Sequence, residues 1–304
     1  MMLRRTIVSL IACLVAVPVS AAAPAAAPAK ATAGAAAVAP TLPLQQIVDR
    51  NIAARGGLPA WQRVQTLSMS GKLDAGKERK DGGLVAELAG FGPQQAQAVR
   101  RARARDVLEG KAPKAAISKT IQLPFRIELK RPLKARFEYD FQGQVAAQVY
   151  DGKNGWKVRP YLGRHEVEPF TTEETQIAAS QQELDGPLIN YAAKGTKVAL
   201  AGTEMVEGNP TYKLTLTLKN GEVRHLWIDA KTFLDTKIEG FPRHWDGKSR
   251  MLLTYYRDYK SVDGLMIPYR LETVVDGAPV SDTIYVEKVT VNPALADSRF
   301  AKPL

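Results

Sequence analysis

The sequence predicts a mainly β protein: a curved antiparallel sheet or incomplete β-barrel, with a helical lid and an N-terminal helix. Three observations carry this. Apolar and polar residues alternate with period 2 along much of the chain, as in Tyr212, Leu214, Leu216 and Leu218 against Lys213, Thr215, Thr217 and Lys219. Each such strand turns one face to an apolar interior and the other to water. Turn signals recur at short intervals, the clearest being Asn220-Gly221, a two-residue hairpin connection. Helical spacing is confined to a few places. A chain of 304 residues can form this as one domain.

The first residues read as an export signal. Arg4 and Arg5 precede an apolar run from Ile7 to Val19, and small residues follow at Ala21 to Ala23. Residues 1–21 are therefore expected to be removed and the protein to work in the periplasm. Cys13 is the only cysteine, and the apolar run continues past it, so lipid anchoring there is not expected. Without Cys13 the mature chain has no disulfide, thiolate metal site or cysteine nucleophile. No later stretch approaches the ~20 apolar residues of a membrane helix, so a soluble mature protein is expected. Residues 22–42 are rich in Ala and Pro and read as an extended tether.

The folded domain is expected over 43–304. Leu44, Ile47, Val48 and Ile52 recur at helical spacing, and Gly56-Gly57 supplies a stop. Strands follow: Leu67, Met69 and Leu73, then Phe137, Tyr139 and Phe141, alternate with polar residues. Asp151-Gly152-Lys153 reads as a hairpin turn with Trp156 anchoring the second strand, a core position before a ligand-facing one. Further strands fit Thr196–Val206, Glu222–Asp229, Phe233–Gly240, Ser249–Tyr259, Leu265–Val275 and Ser281–Val291.

Two stretches interrupt the alternation. Thr171-Thr172-Glu173-Glu174 is a capping-box pattern opening a helix to about Leu184. Asp185-Gly186-Pro187 breaks it, and Pro187 to Lys194 reads as a second short helix with Leu188, Ile189 and Tyr191 on its apolar side. A helix pair spliced into a sheet needs something to cover, and the mouth of the barrel is the natural place. The other interruption is a basic insert at 76–120, with ten Lys/Arg against five Asp/Glu and a helical pattern over Pro93 to Glu109. It reads first as a solvated loop and second as a contact for anionic membrane headgroups or an acidic partner. The formal charge of +11, +9 without Arg4 and Arg5, favours the same surfaces. The arginines lack interleaved aromatics, so specific nucleic-acid binding is not expected.

No catalytic residue, metal site or cofactor is expected. His165, His225 and His244 are dispersed, and no Gly-x-Ser-x-Gly or phosphate-cradling loop occurs. Asp151, Asp229, Asp263 and Asp276 sit at turns, where aspartate accepts backbone hydrogen bonds. His244-Trp245-Asp246-Gly247 fits a loop between strands.

Lys130-Arg131-Pro132, followed by Asp151-Gly152-Lys153, Trp156 and Pro160 downstream of an export signal, resembles the LolA/LolB-like family. These are periplasmic proteins that carry acylated lipoproteins to the bacterial outer membrane. The likeness runs from about Leu44 to Pro303, apart from the insert. It implies noncovalent carriage of acyl chains of lipoproteins or lipids in an apolar cavity, with a membrane lipid exporter as donor and an outer-membrane acceptor. On this reading Leu67, Met69, Phe137, Tyr139, Phe141, Trp156, Leu188, Tyr191, Leu214 and Leu216 are the candidate cavity residues. Pro132 cannot donate to a ladder, which puts Arg131 at a strand end. In the family the arginine of the Arg-Pro pair holds the lid closed; an ordinary surface arginine is the other reading. The alternatives are a periplasmic sensor or interaction module that binds envelope lipids or lipoproteins, and, behind it, an envelope lipid hydrolase.

Overall fold

The computed structural model describes residues 41–79, 117–160, 163–181, 184–245, 248–276 and 281–303. The expected signal, nearly all of the expected tether and residues 80–116 of the basic insert lie outside them. The outermost residues of that insert, 76–79 and 117–120, extend two paired strands.

Two helices open the domain, α1 (Leu44–Ala54) and α2 (Leu58–Arg63). Gly56 separates them at φ 113°, and a Cβ there would lie 2.4 Å from the Gly264 carbonyl oxygen. Only glycine fits that turn. Six strands follow: β1 (Thr66–Arg79), β2 (Ile117–Lys130), β3 (Lys134–Phe141), β4 (Gln144–Tyr150), β5 (Gly155–Arg159) and β6 (Arg164–Pro169). The lid helix α3 (Thr172–Gln181) and a run of turns lead to β7 (Lys197–Val206), β8 (Asn209–Thr217), β9 (Val223–Asp229) and β10 (Asp235–Glu239). A small hairpin of β11 (Arg243–Trp245) and β12 (Lys248–Arg250) precedes β13 (Leu252–Val262), β14 (Leu265–Val275) and β15 (Ser281–Val291).

Thirteen strands form one antiparallel sheet in the order β6-β5-β4-β3-β2-β1-β15-β14-β13-β10-β9-β8-β7. It is two meanders sewn together where the first strand pairs with the last. Gly71 sits at a register shift in that seam, where a Cβ would lie 2.0 Å from the Tyr285 carbonyl oxygen. The sheet is open, as a curved sheet or incomplete barrel would be: β6 and β7 form its two edges. β6 ends at Pro169, which has no N–H to offer a further strand, and the register of β7 shifts between Leu200 and Gly202.

Register puts the apolar residues on one face. Met69, Ile127 and Phe137 stand opposite one another across β1, β2 and β3, as do Leu214 and Leu226 across β8 and β9. Three packed clusters result. Phe125, Ile127, Phe137, Tyr139 and Ile284 form one; Ile47 and Val48 of α1 meet Leu188, Tyr212, Leu214, Leu216 and Leu226 in the second; Trp61 of α2 joins Leu67, Leu184, Ile189 and Leu265 in the third. Asn51 fixes α1 by donating to the Phe233 carbonyl (2.8 Å) and to Asp235 (2.9 Å). On the outer face Trp227 lies between the ammonium groups of Lys213 (4.9 Å) and Lys237 (3.8 Å). A 3-10 turn at Asp297–Phe300 closes the chain, with Arg299 reaching Glu128 (2.9 Å) and Glu138 (3.1 Å).

The second short helix expected over Pro187 to Lys194 is not formed. The segment is a run of turns, because Asn190 takes a left-handed φ of 54° and Lys194 folds back onto Asp185 and Gly186.

Leu226 is fully buried in the α1 cluster. Leu226→Ala is expected to lower stability by about 2–5 kcal/mol, the range for emptying a buried leucine site, measured by urea unfolding followed by tryptophan fluorescence.

Candidate functional site

Residues 170–181 leave one edge of the sheet and residues 184–196 lead to the other, both over the apolar face. The first anchor is the capping box predicted from sequence. Glu174 accepts the Thr171 N–H (2.6 Å) and Thr171 Oγ1 accepts the Glu174 N–H (3.2 Å). Glu174 is itself buried and paired with the buried Lys157 ammonium of β5. One carboxylate thus starts the helix and fastens it to the sheet. Beyond this pair, Ile177 and Ala178 are the apolar side chains that α3 buries.

The second anchor is Asp185, 1% exposed. Its carboxylate accepts Arg131 Nη2 (2.7 Å) on one oxygen and Lys194 Nζ (2.7 Å) on the other. Its carbonyl accepts Arg55 Nη1 (2.8 Å) from the end of α1. Arg131 stands in the turn between β2 and β3, where Pro132 stops the ladder, and the Arg131–Pro132 peptide bond is cis. Its Nε donates to the Val64 carbonyl (2.7 Å) and its Nη2 also to the Trp61 carbonyl (3.1 Å), at the C-terminal end of α2. A planar fork can serve three such acceptors at once; an ammonium cannot match that geometry. Burial works to raise the Asp185 carboxyl, but Lys194 and Arg131 outweigh it and hold the group below the usual carboxylate range.

Behind α3 and the Gly186-Pro187 turn lies a cavity of about 220 Å³. Its apolar wall includes Leu216, Leu218, Ile238 and Leu271, and its polar groups include Ser180, Arg224 and Tyr256. Of the ten candidate cavity residues, Leu216 is on this wall. Phe137 and Tyr139 are packed in the first cluster with Phe141 against them; Leu188 and Leu214 are packed in the second with Tyr191 against it. Leu67 belongs to the third cluster, and Met69 packs between the first and third. Trp156 is half-buried on β5, opposite Val149 and Pro169. All ten are on the sheet or the lid segment, but this closed form does not gather them around one space.

Sequence reasoning passed over Asp185, Lys194, Lys157, Arg224 and Tyr256. Asp185 was legible only as part of a helix-breaking Asp-Gly-Pro. The two buried cations of β5 and β9 sit at positions where alternation places inward side chains, and that was their one signal. Of the histidines, His225 pairs through Nδ1 with Glu239 (2.7 Å) and His165 lies on the edge strand β6. Among the described residues no group of three His, Cys, Asp or Glu could hold a metal ion.

A carboxyl held low in the folded state contributes stability above its unfolded pKa, near 3.9, and loses it as pH falls through the folded value. Urea midpoints should therefore decline with acid below about pH 4. Asp185→Asn should be less stable at pH 7 and show a shallower acid decline. An identical decline in both proteins would remove Asp185 as its source.

No protein-family model matches the sequence, and no curated protein matches it. Solved structures do. A LolA superfamily protein from Nitrosomonas europaea superposes with a TM-score of 0.50 at 12% identity, covering 86% of this chain and 99% of the other. A DUF1329 family protein from Desulfovibrio piger gives a TM-score of 0.50 at 12% identity, covering 86% and 98%. At such identities the likeness is one of architecture: the chain shares its fold with these two structures.

Proposed function

We propose that this protein is a periplasmic carrier that binds the acyl chains of lipoproteins or lipids noncovalently and delivers them toward the outer membrane. The observation that supports this most is the latch. An apolar sheet face is covered by a segment whose base is pinned by one buried carboxylate and two cations beside the packed Leu184, Leu188 and Ile189, while its helix α3 buries only Ile177 and Ala178 as apolar side chains. A cover meant only to complete a core would not need so polar a fastening at its base.

The size of the cavity points the same way. At about 220 Å³ it is smaller than the roughly 300–1,000 Å³ of pockets that enclose drug-sized ligands. A long acyl chain enters only when α3 lifts and the packed residues behind it part. Phe137, Tyr139, Leu188, Leu214 and Leu216 then become the walls, and Arg131 holds the base of the lid. Burial of the chain supplies the affinity, about 0.8 kcal/mol for each methylene removed from water. A membrane lipid exporter as donor, an outer-membrane acceptor, and contact of the basic insert with anionic headgroups complete the reading. No metal, nucleotide or redox group has a part in it.

The test is native mass spectrometry of the protein purified gently from the periplasm. A lipid-sized adduct that detergent strips away is expected. A clean mass that stays unchanged after incubation with acylated peptides and phospholipids would remove the carrier and leave the sensor.

Arg131→Leu deletes the charge-assisted bond to Asp185, worth about 1.5–3 kcal/mol. Release of a bound fluorescent acyl probe, followed by stopped flow, should quicken roughly ten- to a hundredfold. An unchanged release rate would reduce Arg131 to a structural arginine.

A further inference from the structure

The cavity behind α3 is not uniformly greasy, and its polar groups are specific ones. Arg224, on β9 and 6% exposed, projects its guanidinium from the apolar face. The group stacks on the Phe241 ring (4.0 Å to the centroid) and donates to Glu222 (3.1 Å) and Ser180 Oγ (3.4 Å) of the lid helix. Tyr256, on the neighbouring wall, hydrogen-bonds to no other described residue. Burial and then Asp235 push its phenol well above the ordinary range, while the nearby Arg224 charge acts in the opposite direction. The hydroxyl therefore keeps its proton and remains a donor at any physiological pH. Leu216, Leu218, Ile238 and Leu271 supply the apolar surface beside these two donors.

Arg224 is already paired with Glu222 and Ser180, but a wall made for hydrocarbon alone has no use for that guanidinium beside a phenol that bonds to no other described residue. A cargo that ends in an oxyanion would engage both donors. We infer that the cavity receives the head of a single acyl chain bearing an oxyanion, a carboxylate or a phosphate monoester, with Arg224 and Tyr256 as its anchors. The inference rests on the carrier reading above and names the end of the cargo that the carrier grips.

Two carboxylates stand close, and each has a defined role. Glu222 is a quarter exposed, so it turns into water when the ligand oxyanion takes its place on Arg224. Glu239 is held by His225, accepting its backbone N–H (2.9 Å) and pairing with its Nδ1 (2.7 Å). The cavity, about 220 Å³ and partly open, has room for a head group and the first methylenes. The rest of the chain follows the apolar face under α3.

Isothermal titration calorimetry with the purified protein decides this. The probes are dodecanoate, monododecyl phosphate and methyl dodecanoate, each below its aggregation concentration. At least one anion should bind about tenfold or more tightly than the ester, as expected for a charge-assisted contact made only by the anion. Whichever anion wins identifies the head group. Arg224→Met should erase that preference while Arg224→Lys keeps most of it, and Tyr256→Phe should weaken the anion several-fold without affecting the ester. Circular dichroism and thermal melts establish that each variant is folded. Equal binding of ester and anions by the unaltered protein, or a preference that survives in folded Arg224→Met, would overturn the anchor and leave the carrier standing. Failure of all three chains to bind would take the carrier reading down with it.

Discussion

One buried negative charge organises this molecule. A carboxylate as enclosed as Asp185 must be paired, and its partners come from distant parts of the chain. Lys194 belongs to the same covering segment, Arg131 to the β2–β3 turn, and Arg55, bonded to the Asp185 carbonyl, to the end of α1. Arg131 carries the connection on to the carbonyls that end α2. Both N-terminal helices, a hairpin of the sheet and the covering segment therefore meet at one point. Buried ion pairs contribute little net stability because desolvation offsets attraction. What they fix is geometry, and the apolar contacts of Leu184, Leu188 and Ile189 supply the stabilisation.

The open sheet gives that junction its use. Two meanders joined at β1 and β15 leave edges at β6 and β7, and the connection between those edges is the cover itself. It is tied near one edge by Glu174 to Lys157 and touches the other half of the sheet where Ser180 meets Arg224. A closed barrel would fix its interior by a complete ring of ladder bonds. An open one lets its halves adjust while every strand except the two at the edges keeps both neighbours.

Much of this fold was legible in the chain, for physical reasons that differ by element. Period-2 alternation located the strands because a half-buried sheet demands it, and Asn220-Gly221 turned where expected, between β8 and β9. The capping box at Thr171 and Glu174 was readable because its donors and acceptors are local. The turns from Pro187 to Lys194 were misread as helix because Leu188, Ile189 and Tyr191 mimic helical spacing; the left-handed Asn190 that breaks the pattern has no spacing signature. Closure was illegible, since whether β6 meets β7 depends on accumulated sheet curvature. Arg131 could be placed because Pro132 must end a strand. Asp185 could not, because nothing local shows that a turn aspartate will be buried under two cations. Alternation also assigned Phe137 and Tyr139 to the inner face without showing that they are packed against neighbours in the closed form.

On the carrier reading, energetics separate the part of the cover that would move from the part that would stay. Lifting α3 exposes chiefly Ile177 and Ala178, a cost of roughly 2–4 kcal/mol on an area basis. Its Glu174–Lys157 pair regains water as it opens, so the pair adds little to that cost. Lifting the turn segment as well would expose Leu184, Leu188 and Ile189, each worth about 1.5–3 kcal/mol, and would strand Asp185. An acyl chain that buries ten methylenes gains about 8 kcal/mol. That exceeds the first cost comfortably and is consumed by the two together. On the carrier reading proposed above, one chain would drive α3 off the sheet while Asp185 keeps the following turns in place, with the Arg131–Asp185–Lys194 junction as the hinge of the lid and α3 as its moving leaf.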